Sequence, residues 1–401
     1  MIAHDRQRFG VVLVAVCIAL ASHALVAAQT AAQTEVPSAN RGQTPNWLIN
    51  PENWIDHRYA FEAGQAEGNH EALRVDDGGW RMDEAAWDTF PARGVWESGV
   101  TRVPGGFTEL LPSWNVEAPP MTGLTLQVRV AHEGPEGLEW SPAMYIGEWG
   151  EPTWDTSPTE FEKGRVAVDI LKLDDPAAAF ELRVVFESRA MVRRTTPRLR
   201  RVVAVASHRD ESRDAPASPS NPGVGERILL PVPHMVEGEI PDSVITELCS
   251  PWSTGMVMAW AGAELPIARH AQNIFDPTYG IFGNWGRAVA WASSHGLRAE
   301  VARFRSWSDV RATLERGQPI IVSIAFEAGQ FPSNILESTT GHLIVIRGMT
   351  EAGHAIVNDP ARRRGGEAVV YEKHDLARAW FSRGGVSYLI EPAEGRSSDA
   401  R

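Results

Sequence analysis

The stretch TGHLIVIRGMTEAGHAIVNDP, residues 340–360, decides how the second half of the chain is built. Two apolar runs, 343–346 and 355–357, flank a polar turn bounded by Gly348 and Gly353, the pattern of antiparallel strands joined as a hairpin. With the turn centred between Thr350 and Glu351, His342 and Asp359 stand opposite each other. Opposed residues of an antiparallel pair have Cβ atoms roughly 5 Å apart and share a face, so imidazole and carboxylate come within reach of a hydrogen bond. A carboxylate on one ring nitrogen fixes the tautomer and leaves the other nitrogen free to take a proton. His354, near the turn, falls at the wrong end of the hairpin for that role and reads as a surface residue.

The group that such a base would serve lies upstream, in LCSP at 248–251. Cys249 immediately precedes a predicted helix over 250–261 that carries Pro251 in its first turn. The unpaired amides and positive dipole end of a helix start favour a thiolate. Taken alone, Cys249 reads equally as a buried structural cysteine, a small hydrophobe. The order Cys249, His342, Asp359 assigns nucleophile, base and orienting acid. The same three residue types suit zinc, but they lack the tight local spacing of zinc motifs.

Outward from these residues, 227–392 mixes helices and strands. A helix over 285–295 closes at Gly296; another over 306–316 opens with Ser306 and Asp309 in capping spacing and closes at Gly317. Strands are predicted at 320–326, 343–347, 355–358 and 386–390, an α+β arrangement. Residues 46–206 differ in character: alternating runs such as Leu124-Leu126-Val128-Val130 and Leu182-Val184-Phe186, cut by Gly and Pro, predict an all-β sandwich domain. Nine of the fifteen tryptophans fall there; exposed ones would stack on sugars or peptides, but aromatic burial favours a structural role for most. The polar, Pro-rich stretch 207–226 reads as an interdomain linker, 29–45 as a flexible connection and 393–401 as a disordered tail.

Residues 1–28 read as an export signal: Arg6 and Arg8 precede the apolar run 11–20, and Val26-Ala27-Ala28 offers a cleavage site. That run is shorter than the roughly 20 residues a spanning helix needs, so no membrane span is expected after cleavage. Cys17 leaves with the signal, so the mature chain keeps Cys249 alone and forms no internal disulfide. A net charge of −13 disfavours nucleic acid and anionic membranes as partners. A soluble protein, secreted or periplasmic, is expected.

Val232-Pro233, Cys249-Ser250-Pro251 with Met256-Val257, Asn284-Trp285, Gly341-His342-Leu343 and Val357-Asn358-Asp359-Pro360-Ala361 occur in this order. Over 227–392 this set resembles family thirty-nine of the cysteine peptidases, the bacteriocin-processing endopeptidase-like proteins. The preceding domain, with Phe107-Thr108-Glu109-Leu110 and Pro112-Ser113-Trp114-Asn115, is similar to the sandwich of exported members. The resemblance implies a papain-like fold and a Cys249–His342 thiolate–imidazolium pair oriented by Asp359. It also implies an acyl-enzyme on a peptide or protein substrate, and no metal or organic cofactor. The family's glutamine after the Val-Pro pair, an oxyanion donor, is missing; the region reads His234-Met235-Val236-Glu237. An ionised Glu237 cannot donate, and losing one such donor costs on the order of 10²–10³ in rate. The helix-start amides, at Cys249 and next to it at Ser250, are then left to hold the oxyanion. Trp252 replaces a small hydroxyl residue and is expected to narrow the cleft. With no transmembrane bundle or nucleotide-binding segment in view, an exporter's peptidase arm is not expected. The competing expectation is a degenerate relative that binds peptide, glycan or cell wall through the β domain.

Overall fold

Alternating side chains build the first domain. The computed structural model describes residues 53–65, 68–152, 155–210, 224–235, 248–362 and 365–392. Its first thirteen strands are β1 (Trp54–Glu62), β2 (Asn69–Glu71), β3 (Leu73–Asp76), β4 (Gly79–Met82), β5 (Ala92–Glu97), β6 (Thr101–Glu117), β7 (Thr122–Gly134), β8 (Gly137–Trp140), β9 (Met144–Gly150), β10 (Glu160–Phe161), β11 (Gly164–Ala167), β12 (Ile170–Ser188) and β13 (Arg198–Arg209). All thirteen belong to one antiparallel network. The nineteen-residue β12 is shared by two layers: its first half pairs with β11 and β6, its second with β7 and β5. The sandwich is thus one sheet folded over, close to a barrel. Phe61 of β1 meets Trp96 of β5 across the interior with ring centroids 5.6 Å apart. Leu124, Leu126, Val128, Val130, Leu182, Val184 and Phe186, the alternating positions, are all buried. Trp80, Trp96, Trp114 and Trp149 are buried too, and Trp140 carries the Arg129 guanidinium 4.7 Å from its ring, which supports their structural role. Strand β13 runs to Arg209, three residues into the stretch read as linker.

The second domain consists of β14 (Ile228–Leu229), α1 (Cys249–Trp260), α2 (Ile267–Ile274), α3 (Trp285–Ser293), β15 (Arg298–Arg303), α4 (Trp307–Glu315), β16 (Ile320–Phe326), β17 (Thr339–Met349), β18 (Ala355–Asn358), β19 (Val369–Tyr371), α5 (Lys373–Trp380) and β20 (Val386–Glu391). Its sheet runs β15-β20-β16-β17-β18-β19, with β14 on the end of β17. Three helices precede most of this sheet, which makes the domain α+β. The first ten residues of α1 are all buried, so this helix has no solvent face. The Ser253 hydroxyl donates to the Leu343 carbonyl at 2.9 Å and fixes α1 against β17. Ser306 caps α4 by accepting from the Asp309 amide at 3.2 Å.

The two domains share one hydrophobic core. Asn115 of β6 donates to the Ala299 carbonyl and accepts from its amide, so one side chain acts as an extra rung on β15. Ser113 accepts from Val301 N at 3.1 Å, and Ser293 accepts from Val116 N at 2.9 Å. Asp169, at the turn before β12, accepts from the Trp285 amide at the start of α3. Asn115→Ala strands two buried backbone groups of β15, each worth about 1–3 kcal/mol. The expected result is an earlier urea midpoint at unchanged slope; an unchanged midpoint would mean the junction carries no stability.

Candidate active site

Cys249 opens α1, with Leu248 at the N-cap and no side chain capping the helix. Pro251 has no N–H and the Trp252 amide already bonds Leu248 O, so the amides of Cys249 and Ser250 lack an intrahelical partner. The Cys249 side chain lies in the buried set, at 7% exposure. His342 sits on β17 opposite Ile324 of β16 and is buried. Its Nε2 lies 2.8 Å from Asp359 Oδ1. Cys249 lies near enough to the ring to favour its protonated form. Burial disfavours the imidazolium, but the Asp359 charge and hydrogen bond, with Cys249, more than offset it and raise the histidine to about 10. Burial likewise works against the Asp359 carboxylate, yet His342, Tyr371 and the Ala361 amide hold it below its ordinary range.

The structure corrects the register. His342 and Asp359 are not directly opposed: the hairpin pairs Met349 with Ala355 and Gly348 with Ile356, so the turn takes in residues 350–354. Continued inward, that register would put His342 and Asp359 on opposite faces, because side chains alternate along a strand. A bulge at Arg347 shifts the pairing by one, giving Ile346 with Val357 and Val345 with Asn358. The two residues then share a face as diagonal neighbours. Leu230, just past β14, holds the bulge from outside the hairpin. Leu230 N donates to the Arg347 carbonyl, and Arg347 Nε donates to Leu230 O, both at 2.8 Å.

The remaining candidates divide. The buried Ser250 hydroxyl lies 3.5 Å from the Tyr388 hydroxyl. Trp252 is buried in the same core cluster as Cys249, since the first ten residues of α1 are buried on every side. Glu237 lies outside the described residues, as do the export signal and most of the 207–226 stretch. No group of His, Cys, Asp and Glu side chains arranged to hold a metal ion occurs among the described residues. His354 sits at the turn, as read from the sequence, 3.6 Å from Glu372.

Two residues to which the sequence reading gave no role of their own complete the site. Asn358 donates to the carbonyls of Val232 and Pro233 at 3.1 and 3.2 Å and accepts from the Ala368 amide, fastening the Val-Pro segment beside Asp359. Tyr371, on β19, donates its hydroxyl to Asp359 Oδ2.

Residues 229–388 match the Peptidase C39-like family, and residues 53–207 match the Peptidase C39 N-terminal domain. No curated protein matches the chain. Among solved structures, a candidate C39-like peptidase from Bacillus anthracis is 15% identical over 41% of this chain and 98% of its own, with a TM-score of 0.32. A structure of infectious bursal disease virus, Gt strain, is 9% identical over 39% of this chain and 34% of its own, at a TM-score of 0.21. The Emp47p carbohydrate recognition domain is 10% identical over 42% of this chain and 91% of its own, at 0.19. The chain therefore carries a C39-like peptidase family domain over residues 229–388, preceded by a C39 N-terminal domain over residues 53–207.

Proposed function

We propose that this protein is an exported cysteine peptidase acting on a peptide or protein through Cys249, His342 and Asp359. The observation that carries the reading is the buried His342, bonded through Nε2 to Asp359 and lying beside Cys249 at the start of α1. Asp359 keeps the ring protonated beside the sulfur, which stabilises a thiolate. The Cys249 thiolate attacks the carbonyl carbon, and the oxyanion meets the free amides of the helix start. His342 then gives its Nδ1 proton to the leaving amine as the C–N bond breaks, leaving a thioester on Cys249. Water attacks the thioester, His342 takes its proton, and the acid product leaves with the thiolate restored. The export signal read at 1–28 supports a secreted or periplasmic site of action.

The test is iodoacetamide alkylation of folded protein lacking residues 1–28, across pH, in the wild type and in His342→Ala. Fast alkylation that persists at pH 6, and that His342→Ala slows by about tenfold or more, is the expected result. Alkylation indifferent to His342 overturns the reading.

A further inference from the structure

We propose that Tyr371 is a positioning residue of this site: its hydroxyl, donated to Asp359 Oδ2, keeps the carboxylate ionised and turned so that Oδ1 meets His342. The inference rests on the peptidase reading above. Tyr371 ends β19, which pairs with β18 and so brings the phenol up beside Asp359 from the strand next to the hairpin. The residue is fully buried; its ring meets Phe331 edge-on at 4.9 Å and carries the Arg362 guanidinium over its face at 5.9 Å. The two carboxylate oxygens are served differently. Oδ1 accepts from His342 and from the Ala361 amide at 2.9 Å; Oδ2 accepts from Tyr371.

A carboxylate turns about its last bond with little resistance. Donors on both oxygens remove that freedom, and the Tyr371 bond also stabilises the charge that holds His342 protonated. Burial first, and then the Asp359 charge, push the phenol above its ordinary value, so it donates throughout the working pH range. The charged and titratable groups around Asp359 are His342 on β17, Cys249 beyond it on α1, Arg362 over the Tyr371 ring, and His234, whose Nε2 lies 3.3 Å from the Asp359 carbonyl. A purely structural tyrosine would satisfy its hydroxyl here without influencing the thiol. The pH profile separates the two roles.

The experiment measures alkylation rate against pH in the full mature chain for wild type, Tyr371→Phe, Asp359→Asn and the double variant. Tyr371→Phe keeps the ring and removes only the donor, so Asp359 protonates more readily and the ion pair fails earlier on acidification. The acid limb is expected to move up by about 0.5–1 pH unit. In the Asp359→Asn background the same change should move it no further. Site-specific 3-fluorotyrosine at position 371, a more acidic phenol and stronger donor, should move the limb down. It carries the test should Tyr371→Phe fail to fold. A wild type with no His342-dependent limb overturns the peptidase reading and this inference together. A wild-type limb that neither Tyr371→Phe nor fluorotyrosine moves overturns this inference alone.

Discussion

Asp359→Asn is expected to lower kcat/KM for peptide cleavage by about 10³–10⁴ while the fold stands. The amide has the shape of the carboxylate: Oδ1 can still accept from His342 and Ala361, and the Tyr371 hydroxyl can reverse to accept from the new N–H. What goes is the charge. His342 then faces burial with only Cys249 to offset it, and its pKa falls from about 10. Stability should follow with a defined sign. A histidine raised in the fold contributes fully below its ordinary value of 6.5 and loses that contribution as pH rises through about 10. The depressed Asp359 contributes above the ordinary carboxylate value of 3.8 and loses its contribution as pH falls. The stability gap between wild type and variant is therefore widest from about pH 4 to 6.5 and closes toward pH 10. Urea unfolding at pH 5.5, 8 and 10.5 measures it. A gap that is flat with pH, or an activity loss under tenfold, would sink the ion-pair account.

The second large effect belongs to the domain junction. Glu109→Ala is expected to destabilise the whole chain by about 3–5 kcal/mol. Glu109 comes from β6 and pairs with Arg303 of β15, whose side chain is only 1% exposed. Burial pushes the Arg303 guanidinium down, and Arg305 nearby adds repulsion; Glu109 and Asp56 oppose both. Without Glu109 that cation keeps its hydrogen bond to the Gly384 carbonyl at 2.9 Å but loses its paired charge. Asp56 is already engaged by Arg305 through two bonds of 2.8 and 2.9 Å. The double change Glu109→Ala with Arg303→Met should recover at least half of the loss, since it removes the unpaired charge as well. Urea midpoints of the two singles and the double decide it. A single-variant cost under about 1 kcal/mol would place the pair among ordinary surface bridges.

What the sequence made legible was what local rules determine. The alternating runs of β7 and β12, the Ser306 cap and the strand boundaries 320–326 and 355–358 match the structure, since each is decided by neighbours along the chain. Gly296 and Gly317 both adopt the left-handed conformation that ends a helix. The three site residues were legible as chemistry, and the structure brings them together. Their register was not. The turn opens to residues 350–354 because Thr350 both accepts from and donates to its far side, and the bulge at Arg347 depends on Leu230, more than a hundred residues away. Tyr371 ends a strand of three residues, too short for any period to show. The burial of Trp252 was not legible because a helix buried on all sides has no polar face to orient it. The shared core was hidden for the opposite reason: Asn115, Glu109 and Asp169 look like ordinary polar strand and turn residues until β15 and α3 are beside them.

The bulge at Arg347 makes the interval from His342 to Asp359 a length gauge. One residue added to or lost from the paired part of either strand turns one of the two side chains away from the other, and only a second, compensating change restores them. The turn at 350–354 lies outside the pairing, so drift in this protein can reshape or resize it freely, whereas the paired strands can change length only in steps of two.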